Sequence, residues 1–248
     1  MAAHECTMYP DDQTWEVIYD AMDEERAPPW PEMTLHLQPQ DTTLAGWRLL
    51  LELVDEAVHD RRTVFAPKKE LGPELWSQVL TLPASIAGLK HVEKLDLYGS
   101  NLLRLPPEIG EMESLTHFVP YTSYGLHWFP YEITRCKALR SSTVSTRALY
   151  GNYKYRQPFP SLAQVVAELV PKRCGVCDGP IDPESAEQVW ISLGVAADVL
   201  PLLVNACSIG CVENLPPAAQ GYVQGPHKGG LCATTCAGLT QPQSSVRR

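Results

Sequence analysis

The sequence lacks any run of about 18 consecutive apolar residues, the length that a membrane-spanning helix requires. Its first residues, Met1 to Cys6, also lack the basic and apolar regions of a secretory signal peptide. We therefore expect a cytoplasmic protein that does not bind a membrane. Cysteines in that compartment stay reduced, so the eight cysteines are better explained as metal ligands and buried residues than as disulfides.

Familiar catalytic signatures are missing as well. The sequence has no glycine-rich phosphate loop, no His-Glu-x-x-His metal helix and no Gly-x-Ser-x-Gly nucleophile turn. Apolar residues make up 44% and charged residues 20% of the chain, which is ordinary for a globular protein. The composition and the missing motifs together favour a binding protein over an enzyme.

An excess of positive charge is also absent, since the net charge is −9. Nine of the 29 acidic residues, but only one of the 20 basic residues, lie in residues 1–40. This pattern predicts an acidic, weakly ordered N-terminal arm in front of a nearly neutral folded body. A protein that binds polyanions over its whole surface is therefore disfavoured.

Apolar residues recur in the middle of the chain at intervals of 23 and 24 residues, in four columns that keep the same register. The columns are Leu82, Leu105 and Phe129; Ile86, Ile109 and Ile133; Leu89, Met112 and Cys136; and Val92, Leu115 and Leu139. Such a period indicates stacked units whose apolar positions point into one shared core.

Within the best unit, Val92-x-x-Leu95-x-Leu97-x-x-Ser100-x-Leu102 resembles the strand motif of the leucine-rich-repeat family, of the kind common in bacterial cytosolic proteins. The resemblance covers roughly residues 80–160. It implies an α/β fold: a short leucine-rich-repeat solenoid of about three repeats, with an N-terminal helical cap and a small β-rich, Cys-containing C-terminal module. It also implies protein–protein recognition on the concave face of the sheet.

The flanking segments complete the expected organisation into five parts. An apolar stripe at helical spacing predicts a helix over residues 43–61, and Pro73 suits the first turn of a second helix. A further helix over residues 161–170 would close the solenoid. The expected parts are an arm (1–40), a helical cap (41–81), a solenoid with its closing helix (82–170), a Cys-rich module (171–239) and a disordered tail (240–248).

Four cysteines in two pairs form the most specific motif. Cys174-Gly-Val-Cys177 and Cys207-Ser-Ile-Gly-Cys211 enclose two β-rich runs that predict a hairpin, which would bring the four sulfurs together. We interpret them as a structural Zn²⁺ site, and the region resembles zinc-ribbon or treble-clef modules. Three other residues form a competing set that could replace one pair or make a second site. They are Cys232, Cys236 and His227.

Strand alternation predicts which side chains line the concave face and bind a protein partner. They are Lys94, Asp96, Tyr98, His117, Tyr121 and Thr143. A second interpretation rests on basic and aromatic residues that interleave between residues 133 and 167, a segment without acidic residues. A nucleic-acid-associated protein would use that patch and the zinc module to bind phosphates and stack bases. Its basic residues are Arg140, Arg147, Lys154 and Arg156.

Overall fold

The structure, a computed structural model, describes residues 33–152 and 157–230. Its α-helices and strands, in chain order, are α1 (Ala45–His59), β1 (Val64–Phe65), α2 (Pro67–Trp76), β2 (Lys94–Asp96), β3 (His117–Val119), β4 (Phe129–Pro130), β5 (Ser141–Ser142), β6 (Glu187–Val195), β7 (Asp198–Ala206) and α3 (Ile209–Glu213). Residues 1–32 of the predicted acidic arm and the whole predicted tail (240–248) lie outside the described residues.

Helix α1 forms where the apolar stripe predicts a helix, and it buries Leu50, Leu53 and Val54 against the rest of the chain. Helix α2 spans Pro67–Trp76, but Gly72 within it has non-helical angles (φ +79°, ψ 164°), so two helical segments meet there at a kink. Pro73 opens the second of these segments, as the sequence predicts. The two helices pack against each other at the N-terminal side of the first sheet.

The first sheet is parallel and has the strand order β1-β2-β3-β5. Its register aligns Lys94 with His117 and His117 with Ser141, so equivalent positions of successive units lie side by side. Three short 3-10 helices return the chain between strands, at Ala84–Gly88, Pro107–Glu111 and Tyr131–Arg135. All of the repeated apolar residues are buried except Leu139, which is partly buried.

The second sheet has the order β4-β7-β6. Strands β6 and β7 form the antiparallel hairpin predicted between the cysteine pairs, with Glu187 opposite Ala206 and Val195 opposite Asp198. The short β4 joins the hairpin in parallel, with Phe129 opposite Leu202. A segment of the third repeated unit is thereby hydrogen-bonded into the sheet that carries the cysteines.

The predicted leucine-rich-repeat solenoid is wrong as a description of this fold. The described residues form a mixed α/β fold in which a four-stranded parallel sheet, a three-stranded mixed sheet and three α-helices share one core. The physical reason is that the third repeated unit does not simply continue a stack of identical units. Its strand β4 pairs with β7 and so belongs to the second sheet. Apolar residues of the hairpin, among them Ile191 and Leu202, belong to the same buried cluster as Leu95 and Phe118.

The predicted closing helix over residues 161–170 is also wrong, since that segment contains only a 3-10 turn at Ala167–Leu169. The side-chain amide of Gln188 explains the difference. Its Oε1 accepts a hydrogen bond from the N–H of Val166 (2.6 Å), and its Nε2 donates one to the carbonyl oxygen of Val166 (3.0 Å). These bonds hold the Val166 backbone in an extended conformation against β6.

Gly110→Ala tests the close stacking of the 3-10 helices. A Cβ at Gly110 would lie 2.5 Å from the carbonyl oxygen of Glu132, so the backbone must shift. We expect the free energy of unfolding in urea to fall by about 1 to 3 kcal/mol. Gly194→Ala is the matched control because a Cβ there meets nothing within 4 Å. Equal stability of the two variants would contradict this packing.

Candidate metal centre

Four cysteine side chains converge at one end of the hairpin, as the two-pair spacing predicts. The sulfurs of Cys174, Cys177, Cys207 and Cys211 all lie within 4.8 Å of one another. The Cys177–Cys207 and Cys207–Cys211 sulfur separations are both 3.6 Å, and the described cysteines form no disulfide. A tetrahedral metal with bonds of about 2.3 Å to sulfur needs sulfurs about 3.8 Å apart. These four cysteines could therefore hold a metal ion.

Tight local turns position each pair. The N–H of Cys174 donates to the carbonyl oxygen of Gly179 (2.7 Å), and Asp178 adopts a φ of +61°, which closes the first turn. The second pair lies where β7 ends and α3 begins. Ser208 caps α3 by accepting a hydrogen bond from the N–H of Cys211 (3.3 Å). Cys207 lies directly before this cap and Cys211 lies in the first turn of α3, so the three intervening residues bring the two cysteines together.

The electrostatics of the cluster favour a bound cation. Burial opposes ionisation of Cys174, but backbone N–H groups of Cys177, Cys207 and Val176 donate to its sulfur and lower its pKa to about 7. Desolvation and then the neighbouring thiols raise the pKa of Cys211 to about 12. Several thiolates cannot coexist at such short range without a proton or a metal ion between them.

Arg135 ties the first cysteine turn to the third 3-10 helix. Its guanidinium donates to the carbonyl oxygens of Cys174 and Gly175, both at 3.0 Å, and pairs with Asp178 at 3.1 Å. Asp178 also pairs with Arg173. This arrangement fixes the backbone that carries Cys174. The sequence does not predict this role of Arg135, because locally the residue is only one of several basic residues in the same stretch.

Glu132 lies beside this turn, and sequence reasoning missed it. Its side chain is 3% exposed, and neither carboxylate oxygen has a hydrogen-bond partner among the described residues. A Cβ at Gly175 would lie 3.0 Å from Oε1 of Glu132, so the carboxyl group packs directly on the cysteine turn. Desolvation by burial raises the pKa of Glu132 to about 7, although Arg135 opposes this effect and Glu108 adds to it.

His227 is the one described member of the competing metal set, and it does not belong to the four-cysteine cluster. His227 is half-buried, and its backbone exchanges two hydrogen bonds with Trp190. Its ring meets Phe159 edge-on at 4.6 Å, and burial lowers its pKa to about 4. Cys232 and Cys236 lie outside the described residues. Within the part of the chain that the structure describes, the only cluster of three or more metal-ligating side chains is the four-cysteine group.

The residues predicted to bind a partner lie along the parallel sheet. Tyr98 and Tyr121 are about half exposed, and their ring centroids are 6.2 Å apart. Lys94 pairs with Asp96 at 3.3 Å, and Thr143 is exposed. The Nδ1 of His117 lies 2.8 Å from Oγ1 of Thr116. Sequence reasoning missed Tyr124, which at 64% is the most exposed large apolar side chain among the described residues.

The basic patch is only partly described. Arg140 and Arg147 are exposed on adjacent loops, whereas Lys154 and Arg156 lie outside the described residues. Arg135, from the same stretch of sequence, is held by the cysteine turn and by Asp178. Of the four predicted nucleic-acid-binding residues, the described surface therefore carries two, Arg140 and Arg147.

Comparisons of the chain with protein-family models, with curated proteins and with solved structures find no match. Among residues 33–152 and 157–230, no helix has the length and apolar character needed to cross a membrane. The function must therefore be inferred from the geometry of the described residues themselves.

Glu132 is expected to impose a pH dependence on stability. Burial raises its pKa from 4.5 to about 7, so the folded state holds this proton more tightly than the unfolded chain does. Its contribution to stability is therefore full below about pH 4.5 and is lost as the pH rises through about 7. The loss is about 3 kcal/mol.

Glu132→Gln should remove this loss. We expect the variant to become more stable than the natural chain, by an amount that grows between pH 4.5 and 7, in urea unfolding at a series of pH values. Glu184→Gln, at an exposed carboxylate, is the control and should follow the natural chain. A stability difference that stays constant across this pH range would show that Glu132 does not titrate as described.

Proposed function

We propose that this protein is a recognition or adaptor protein that binds a protein partner on the exposed face of its parallel sheet. The observation that carries this proposal is the pair of tyrosines on that face. Tyr98 and Tyr121 expose 48% and 47% of their surface although their rings are close to each other. Tyrosine is enriched at protein interfaces because its rigid ring buries apolar area at low entropic cost and its hydroxyl group can form hydrogen bonds.

The surroundings of Tyr98 support this assignment. The ammonium of Lys68 lies 5.0 Å from the centroid of the Tyr98 ring, which orients the ring by a cation–π contact. A shallow cavity of about 170 Å³ opens beside the ring and is also lined by Lys69, Asp96 and Val119. A pocket next to a fixed aromatic residue is the geometry in which a few residues supply most of the binding energy.

The charge around this cavity indicates what the partner offers. Lys68 and Lys69 line it, while the one carboxylate there, Asp96, is paired with Lys94. We therefore expect the partner to place an apolar side chain against Tyr98 and a carboxylate near the two lysines.

We also propose that the four cysteines bind zinc in a structural role. Four thiolates in near-tetrahedral positions suit Zn²⁺, and a site filled by four protein ligands has no open position for a substrate. The two pairs come from the turn before β6 and from the β7–α3 junction, so a metal there would fasten the start of β6 to the end of β7 at the open end of the hairpin. This supports a stabilising role rather than a catalytic one.

Zinc binding is tested by elemental analysis of the purified protein. We expect about one zinc per chain, and loss of most of it in Cys174→Ser or Cys207→Ser because three thiolates bind more weakly than four. Cys136→Ala is the control, since Cys136 is buried away from the cluster and should leave the zinc content unchanged. Full zinc content in both serine variants, or another metal in the natural chain, would contradict the proposal.

Partner binding is tested by affinity capture from lysate of the natural host, followed by mass spectrometry. We expect one protein to be captured by the natural chain and to be reduced at least about tenfold with Tyr98→Ala/Tyr121→Ala, since both rings act as contact residues. Leu49→Ala, at an exposed apolar residue of α1, is the control and should capture as before. Equal capture by the tyrosine variant would exclude this face as the binding surface.

The alternative of a nucleic-acid-associated protein stays a prediction. It would depend on Arg140 and Arg147 together with Lys154 and Arg156. Capture that is removed by nuclease and weakened steeply by salt, but unchanged in the tyrosine variant, would favour that alternative.

A further inference from the structure

A second cavity, which we call the cleft, opens between the 3-10 helices of the repeated units and the second sheet. Its volume is about 580 Å³, within the range of protein cavities that bind a ligand. Apolar side chains and proline rings form much of its lining, among them Leu105, Pro107, Trp128, Pro130, Val170 and Pro171. An apolar opening of this size favours a group that covers it and excludes water.

Charges of both signs surround the cleft. Arg104 and Lys172 line it, but so do Glu108, Glu111 and Glu168. Mixed charges offset each other's attraction for a charged ligand, so charge selects neither an acidic nor a basic occupant. The apolar walls therefore decide what binds, and an uncharged apolar group is favoured.

The chain passes beside the cleft where it enters the described region, over residues 33–40, which we call the strap. Arg104, which lines the cleft, donates to two carbonyl oxygens of the strap, at 3.3 and 3.0 Å. Met33 and Leu35 pack against the buried cluster that contains Trp128, which also lines the cleft. The residues that precede Met33 therefore join the strap next to the cleft.

The sequence directly before the strap suits an apolar cleft. Residues 27–31 read Ala-Pro-Pro-Trp-Pro and carry no charge, whereas residues 1–26 hold eight of the nine acidic residues of the arm. Three residues of chain span at most about 10 Å, so Trp30 lies within that distance of Met33. Prolines fix the backbone in an extended form, so such a segment docks with little loss of entropy.

The short tether gives this segment an advantage over a separate molecule. A group linked through a few residues is present at an effective concentration in the millimolar range, which a free ligand must match to compete. We propose that residues 27–31 dock in the cleft of the same chain, with the indole of Trp30 packed on its apolar walls. The docked segment covers the seam between the repeated units and the second sheet.

The test is fluorine NMR of the full-length protein labelled with 5-fluorotryptophan. The chain has six tryptophans, and single Trp→Phe substitutions assign their resonances. Trp15, which also lies in the arm, is the matched control. We expect the Trp30 resonance to shift less than that of Trp15 when H₂O is replaced by D₂O, because docking excludes water from the indole. A solvent shift of Trp30 equal to that of Trp15 would overturn the proposal.

Val170→Asp tests whether the cleft is the docking site. Val170 lines the cleft and is partly buried, so a carboxylate there should expel the indole and give Trp30 the solvent shift of an exposed tryptophan. Val64→Asp is the control, because Val64 lies outside the cleft lining and is 47% exposed. Unchanged resonances of the buried Trp76 and Trp190 show that the fold is retained.

Trp30→Ala gives an independent check that leaves the cleft walls intact. We expect it to move the resonance of Trp128, because a neighbouring ring is removed, while Trp15→Ala leaves that resonance in place. A protected Trp30 in folded Val170→Asp, or an unmoved Trp128 resonance in Trp30→Ala, would overturn the proposal. So would a Trp30 resonance that becomes exposed on dilution, since this would place the segment in the cleft of a second copy.

Discussion

Two contacts join the repeated units to the hairpin and its cysteine turn, and the described fold depends on them: the hydrogen bonds of Arg135 and the pairing of β4 with β7. The guanidinium of Arg135 leaves the third 3-10 helix and donates to two carbonyl oxygens of the first cysteine turn. A few residues earlier, β4 pairs with β7 of the hairpin. These contacts cover the apolar end of the repeated units, which would otherwise face water, and they place the four cysteines at a fixed position on the same body.

The same contacts explain why Glu132 is buried without a hydrogen-bond partner for its carboxylate among the described residues. In the preceding unit the equivalent Glu108 is half-buried, whereas at Glu132 the cysteine turn closes over the carboxyl group. One covering segment therefore has two effects. It holds the backbone of Cys174 in place, and it buries a carboxylate that lacks a hydrogen-bond partner among the described residues.

Local patterns in the sequence predicted the parts of the fold that depend on neighbouring residues. Helix α1 follows from a stripe of apolar residues, the β6–β7 hairpin from two β-rich runs, and the cysteine cluster from the spacing of its pairs. The failures all involve partners distant in sequence. Residues 161–170 have helical periodicity, but the amide of Gln188 binds the Val166 backbone. Nothing local indicates that Phe129 pairs with Leu202 or that Glu132 is buried.

Native-state hydrogen exchange tests most directly whether both sheets form one cooperative body around a shared core. It compares the opening free energies of amides in β2 and β3 with those in β6 and β7, on the purified protein. If the core is shared, the slowest amides of both sheets exchange with the same free energy, through one global opening. A hairpin that exchanges with a much lower free energy than the parallel sheet would mean a separate appended module, and would contradict the shared core.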